Sequence, residues 1–289
     1  MSLLDCRDLT KKKGDFALKG IDFSVDAGYV VGVIGRNGAG KTTLARLLLG
    51  GYEPDKGDIF LRGIPASADR RGYKEHLAYV LNETPFPVSM TPRECEMLYS
   101  GYYCGFDRKK YCELLKSYEV PEKKVLRKLS KGQQIRHQLA FALSYDADVY
   151  IFDEPAANLD VKFRDEFYTI IRKITEDGLK TVIYVSHLVD ELEQLADYIL
   201  WMSEGGQKYF GTLDGFKEGY QLVEVAEDEL GTFPNLAVVG TKESLMHQEV
   251  LVKATREDLP EELKRYSRYA SLKEIMYYAE KGDEQDAAD

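Results

Sequence analysis

The sequence predicts an α/β fold: a parallel sheet wrapped by helices, interrupted by a helical insertion and followed by a small α+β appendage. Three observations carry that prediction. First, "GYVVGVIG" is a continuous β-branched run of the kind that fills a central strand covered on both faces. Second, strand-like and helix-like segments alternate after residue 147: "DVYIFDE", "VKFRDEFYTIIRKI", "TVIYVS", "LVDELEQLA" and "YILWM". Alternation of that kind implies parallel strands joined by helical crossovers. Third, the texture between about Pro85 and Leu143 is helical and rich in Tyr and Cys, with prolines at 85, 87, 92 and 121 punctuating short helices.

The remaining elements follow in order. "FALKGIDFSVDAG" alternates apolar and polar residues as a half-buried strand does. After "GYVVGVIG" a glycine loop leads into "KTTLARLLLG", where Leu44, Leu47 and Leu48 recur at helical spacing and the glycines at 50–51 close the helix. "GDIFLRG" and "HLAYVL" read as further short strands. Beyond residue 212, "YQLVEVA", "LAVVG" and "EVLVKA" read as strands, and "PEELKRYS" and "SLKEIMYYAEKG" as helices. These give domains at 1–212 and 213–289, with the tail "EKGDEQDAAD" expected to be solvated and frayed.

The 289 residues carry a formal charge of −10, which argues against a nucleic-acid partner because phosphate neutralisation needs clustered Lys and Arg. The first residues lack the apolar core of a secretory peptide. No apolar run approaches the roughly 18–20 residues of a membrane helix, so a cytoplasmic protein is expected. Cys6, Cys95, Cys104 and Cys112 form no CxxC pair and read as free thiols.

Three motifs carry chemistry. "GRNGAGKT" fits G-x-x-x-x-G-K-[ST] between a predicted strand and a predicted helix, the context a phosphate cradle requires. Successive N–H groups of Gly35, Arg36, Asn37, Gly38, Ala39 and Gly40 can curl around a phosphate. Lys41 can reach the β- and γ-phosphates, Thr42 can ligate Mg²⁺, and Thr43 continues the helix start. "VYIFDE" ends a strand in two carboxylates: Asp153 for the magnesium shell and Glu154 for polarising the attacking water. His187 closes another core strand, where α/β ligand sites gather, and can contact the γ-phosphate. A fourth stretch, "KLSKGQQIRHQLAFAL", opens a second helix on a Ser–Lys–Gly turn, and so forms a second anion site.

Gly35–Thr43, "LSKGQ" at 129–133, "DEP" at 153–155, "NLD" at 158–160 and "SH" at 186–187 occur in the order and spacing of an ABC-transporter ATPase subunit. The resemblance covers about residues 1–212. It implies a P-loop NTPase (RecA-like) core with an N-terminal antiparallel β subdomain, and hydrolysis of ATP with Mg²⁺. It also implies a head-to-tail dimer, as a homodimer or with a paralogous subunit, in which each ATP meets the signature turn of the other chain. Ser130, Lys131, Gly132, Gln133 and Asp160 would then serve the partner's nucleotide. A separate permease, docked on the helical insertion, would hold the chain on the inner face of the cell membrane.

The sequence departs from the family in three places. Asn82, with Glu83 beside it, stands where a metal-sensing glutamine is usual. Lys13 stands at the adenine-stacking aromatic, leaving Phe16 as the nearest ring. Lys131 replaces a glycine. Among the family, the pattern looks most like exporters of peptides or toxins, including phenol-soluble modulins. Two other readings stay open: a soluble ATPase of this type not coupled to transport, and a nucleotide-gated regulatory module.

Overall fold

The computed structural model describes residues 2–225, 236–243 and 247–286. Two compact units separate: Met1–Leu188 with Leu195–Phe210, and Val189–Gln194 with Gly211–Asp289.

The first unit is built on one ten-stranded sheet. From one edge to the other it runs β5 (Ile64–Pro65), β4 (Lys56–Leu61), β1 (Leu4–Lys13), β2 (Phe16–Val25), β10 (Gly206–Thr212), β9 (Tyr198–Ser203), β3 (Val30–Ile34), β8 (Thr181–Val185), β7 (Val149–Asp153) and β6 (Leu77–Leu81). The sheet is mixed. β1 pairs antiparallel with both β2 and β4, whereas β3 pairs parallel with β8 and β9, and β7 parallel with β6 and β8. β3 is buried at all five positions, as its unbroken apolar run requires. β1 and β10 were not read from the sequence: their alternation is broken at Asp8, where the register shifts, in one and by the adjacent Gln207 and Lys208 in the other.

Register decides where the chemistry lies. Leu81 stands opposite Asp153 on β7, and Asp153 opposite Val185 on β8. Val185 in turn faces Val33 on β3. The carboxyl ends of four strands therefore finish at one level, and the chain leaves each into a motif: Gly35, Asn82, Glu154 and Ser186–His187.

The insertion contains α3 (Pro92–Tyr99), α4 (Arg108–Ser117) and α5 (Lys131–Ala142). The Thr91–Glu94 capping box with Pro92 starts α3, and Asp107 caps α4 by accepting from Lys110 N–H at 2.9 Å. Phe86, Tyr103, Phe106, Tyr111, Phe141 and Tyr145 form an aromatic core around α5. The run "LYSGYYCGF" is thus divided: Tyr99, Tyr103 and Phe106 pack inward, while Leu98 and Tyr102 stay 49% and 66% exposed. His137 is sealed in this core, and burial pushes its pKa down to about 3. Tyr111 O–H donates to the Pro92 carbonyl at 3.0 Å, so its oxygen is left to accept from His137 Nε2 at 2.8 Å. The ring is therefore the neutral Nε2–H tautomer.

The second unit holds a four-stranded antiparallel sheet in the order β12 (Val238–Glu243), β13 (Gln248–Val252), β11 (Gln221–Val225), β14 (Ser267–Tyr269). Val223, Val225, Val250 and Val252 pack on Leu259 and Leu263, the latter on α9 (Glu261–Lys264). α10 (Leu272–Asp286) lies over β12, where a Cβ on Gly240 would come 2.6 Å from the Tyr278 carbonyl oxygen. Only glycine fits there. α10 runs through Glu280 into the acidic tail as far as Asp286, further than the sequence suggests. Residues 226–235, 244–246 and 287–289 lie outside the described residues. All four cysteines are free, as expected.

Candidate active site

The phosphate cradle begins where β3 ends. At Gly35, with φ 151°, a Cβ would come 2.2 Å from the Met202 carbonyl oxygen, so no other residue fits between the loop and β9. Gly40, with φ 102°, is the N-cap of α1 (Lys41–Leu48) and supplies no side chain to cap it. Gly40 thus brings no side chain to the opening N–H groups of α1, and helix starts of this kind suit an anion. Lys41 is 7% exposed, and its Nζ donates to the Gly35 carbonyl at 2.6 Å and the Arg36 carbonyl at 3.2 Å. The ammonium is thereby held in the mouth of the loop, where an incoming phosphate would meet it. Arg36, Asn37 and Gly38 are exposed at the loop's tip, Ala39 is buried, and Thr42 and Thr43 lie in the first turn of α1.

Asp153 and Glu154 stand at the end of β7. Burial, and then the neighbouring Glu154 charge, push the Asp153 carboxyl up, against the pull of Lys41 and Arg46. A carboxylate so placed is one that a cation would stabilise. Thr42, Asn82, Asp153 and Glu154 all line one cleft of about 690 Å³, with Arg46, Tyr52, Lys74, Tyr79 and Tyr103 further along it. Hydroxyl, amide oxygen and carboxylate are hard oxygen donors and fit Mg²⁺, which commonly takes one or two carboxylates and completes its shell with phosphate and water. The described residues hold no cluster of three His, Cys, Asp or Glu side chains placed to bind a metal by themselves. Such a site would be completed by the nucleotide.

Glu154 adopts a left-handed backbone, φ 50° and ψ 44°, unusual for a non-glycine residue. Its N–H donates to the Val185 carbonyl at 2.9 Å, tying the turn to the neighbouring strand. The side chain is thereby brought to His187, whose Nδ1 lies 3.2 Å from Glu154 Oε1. Sequence reasoning gave these two residues separate roles; the structure makes them a pair.

The signature turn lies on the insertion. Ser130 caps α5, accepting from Gln133 N–H at 3.2 Å, while Gln133 Oε1 accepts from Ser130 N–H at 3.2 Å. Gln133 Nε2 donates to the Glu119 carbonyl at 3.3 Å. A Cβ on Gly132 would come 3.0 Å from the Asn158 carbonyl oxygen, so the turn rests against the "NLD" loop. Lys131 is exposed. Asp160 caps α6 (Val161–Thr175), accepting from Phe163 N–H at 3.0 Å, and pairs with Arg136 of α5. Hydrogen bonding to that N–H and the Arg136 charge hold its carboxyl below the usual range.

Phe16, for which the sequence leaves adenine stacking and core packing both open, is half-buried beside the cradle. Its ring packs on the apolar core, and a Cβ on Gly40 would come 2.8 Å from its Cζ. The residue supports the cradle from beneath. Lys13, at the expected stacking position, carries its Nζ 5.3 Å above the Tyr52 ring.

Sequence reasoning missed the partners that organise these groups: Asn158, whose Nδ2 donates to Asn82 Oδ1 at 3.2 Å, Arg136, and Gln138. For Gln138 a signal existed, since a glutamine three residues after Ile135 on an apolar stripe is out of place unless it is bonded.

A model of the family described as "ABC transporter" matches residues 18–157. "Nod factor export ATP-binding protein I" of Rhizobium etli is 34% identical over 214 residues, 72% of this chain and 67% of that protein. The chain belongs to the ATP-binding subunits of ABC transporters. A "Probable metal transport system ATP-binding protein" of Thermotoga maritima is 35% identical, over 65% of this chain and 75% of that protein. Among solved structures, an "ATP binding subunit of ABC transporter" aligns with a TM-score of 0.68 and 25% identity, over 75% of this chain and 92% of that one. The cbiO1 protein of Clostridium perfringens, described as part of a transporter complex, aligns at 0.61 and 25% identity, over 74% and 90%. For this ABC subunit, membership implies that ATP is bound and hydrolysed. No described helix is long and apolar enough to cross a membrane.

Proposed function

We propose that this chain is the ATPase of an export system and works as a head-to-tail dimer on a separate permease at the inner face of the membrane. The observation that carries the reading is the single level at which Lys41, Asn82, Asp153 and the Glu154–His187 pair converge. In this reading Lys41 and the first N–H groups of α1 hold the β- and γ-phosphates, and Thr42, Asp153 and Asn82 hold Mg²⁺. A bound Mg²⁺ would supply charge neutralisation for the phosphate oxygens. Glu154 orients the attacking water, and His187, with Nδ1 3.2 Å from its carboxylate, steadies it. Ser130, Lys131, Gly132 and Gln133 face the partner's γ-phosphate, and Asp160 flanks the interface. Residues 1–212 form the nucleotide-binding domain, and 213–289 the appendage.

The permease reading is supported by Val88, Met97, Leu98 and Tyr102 of the insertion, which are 50%, 66%, 49% and 66% exposed. Large apolar side chains gathered on one exposed segment mark a contact surface. Export is the direction of the Nod factor relatives, and a peptide or toxin cargo remains part of the proposal on the strength of the family pattern alone.

The test is Glu154→Gln. The variant should bind ATP as the wild type does, hydrolyse it at least about a hundredfold more slowly, and accumulate as a dimer. A variant that stays monomeric at saturating ATP, with the permease present, contradicts the composite site.

A further inference from the structure

The helix that carries the signature turn also grips the strand that ends at Asn82. Gln138 is 1% exposed on the apolar stripe of α5. Its amide makes two hydrogen bonds to one residue: Oε1 accepts from Leu81 N–H at 2.9 Å, and Nε2 donates to the Leu81 carbonyl at 3.0 Å. Leu81 is the last residue of β6, the edge of the sheet. Its outward N–H and C=O therefore meet no neighbouring strand among the described residues, and the glutamine amide takes the strand's place. Leu81 stands opposite Asp153 and immediately precedes Asn82. Asn82 accepts from Asn158, and the Asn158 carbonyl lies against Gly132 in the first turn of the same helix. Gln138, Leu81–Asn82, Asn158 and Gly132 close a ring of contacts.

We propose that Gln138 is a positioning residue that locks Asn82 to the signature helix, so that the cation-facing amide and the partner-facing turn move as one body. The proposal rests on the nucleotide-site reading above. Gln138 touches neither nucleotide nor metal and acts through Asn82. A glutamine is required because the Leu81 backbone needs both an acceptor and a donor. Glutamate supplies only the acceptor, and methionine only a weak sulfur acceptor and no donor. Without the amide, Asn82 is no longer fixed at the level of Asp153, and a change at the signature turn no longer reaches it.

The experiment titrates a fluorescent ATP analogue into the full chain, with EDTA and with Mg²⁺, and records a thermal melt for each variant. In Gln138→Met the metal-free affinity should stay within about twofold of wild type, while the gain in affinity that Mg²⁺ brings should fall by about tenfold. Asn82→Ala should lose a similar share, and the double variant no more than either single one. An unchanged Mg²⁺ gain in a folded Gln138→Met overturns the proposal, as do losses that add in the double variant. Equal weakening with and without Mg²⁺ marks a merely structural role and also overturns it. Should the methionine variant not fold, Gln138→Glu, which keeps the acceptor for the Leu81 N–H, is judged by the same titration. A wild-type chain that binds no ATP in either condition overturns the nucleotide site itself and this coupling with it, and is distinguished by that binding result.

Discussion

α1 and α5 both begin at a glycine-containing turn and both offer a helix N-terminus to an anion, yet they are finished differently. α1 starts on Gly40 in a left-handed conformation with no side-chain cap. α5 starts on a complete capping box between Ser130 and Gln133. The first leaves its opening N–H groups for a ligand and places Lys41 among them. The second spends the Gln133 N–H on its own serine. One helix start is left open by its own glycine cap, whereas the other is closed by its own serine and glutamine. The difference teaches that an N-terminal turn becomes a primary anion site only where the sequence withholds the cap.

Breaking the cradle at α1 should give the largest effect. Lys41→Ala removes the buried ammonium and is expected to lower turnover by at least about a hundredfold, with nucleotide affinity falling in parallel in a binding titration. Ser130→Arg should come next. Turnover is lost, but ATP binding to the same chain is kept, and loss of binding in the isolated subunit would mean that the turn serves its own chain's nucleotide.

Acid should separate the two helices. His137 on α5 is held at about 3 in the fold, against 6.5 when exposed. The unfolded state binds the extra proton, so stability is complete above pH 6.5 and falls as pH drops from there toward 3, by about 1.4 kcal/mol per unit for this group alone. Amide exchange at acid pH should therefore open α5 before α1, whose buried residues include no histidine or acid. His137→Phe should remove that pH slope in a denaturant titration. The smallest effect is expected at Lys131: its side chain is exposed, and Lys131→Gly should change turnover by less than about threefold, falling with salt as a surface charge does.

Much of this site is legible in the sequence because its chemistry is local. A glycine loop between strand and helix, two acids at a strand's end and a serine three residues before a glutamine each define their geometry within one turn of chain. The apolar runs of β3, β7 and β8 determined the parallel half of the sheet, since only doubly covered strands tolerate such continuity. Register was not legible. That Leu81, Asp153, Val185 and Val33 share one level depends on pairing between segments far apart in the chain. From it follow the Glu154–His187 pair and the placement of Asn82. The tertiary structure also decided that Phe16 supports Gly40 and that Gln138 completes the edge of β6. The sequence alone determined which groups can hold phosphate and cation, because backbone conformation and ionisable side chains are properties of a few neighbouring residues. Which of those groups face one another was decided by the packing of the sheet, because a hydrogen bond between residues 81 and 138 exists only once strand and helix have met.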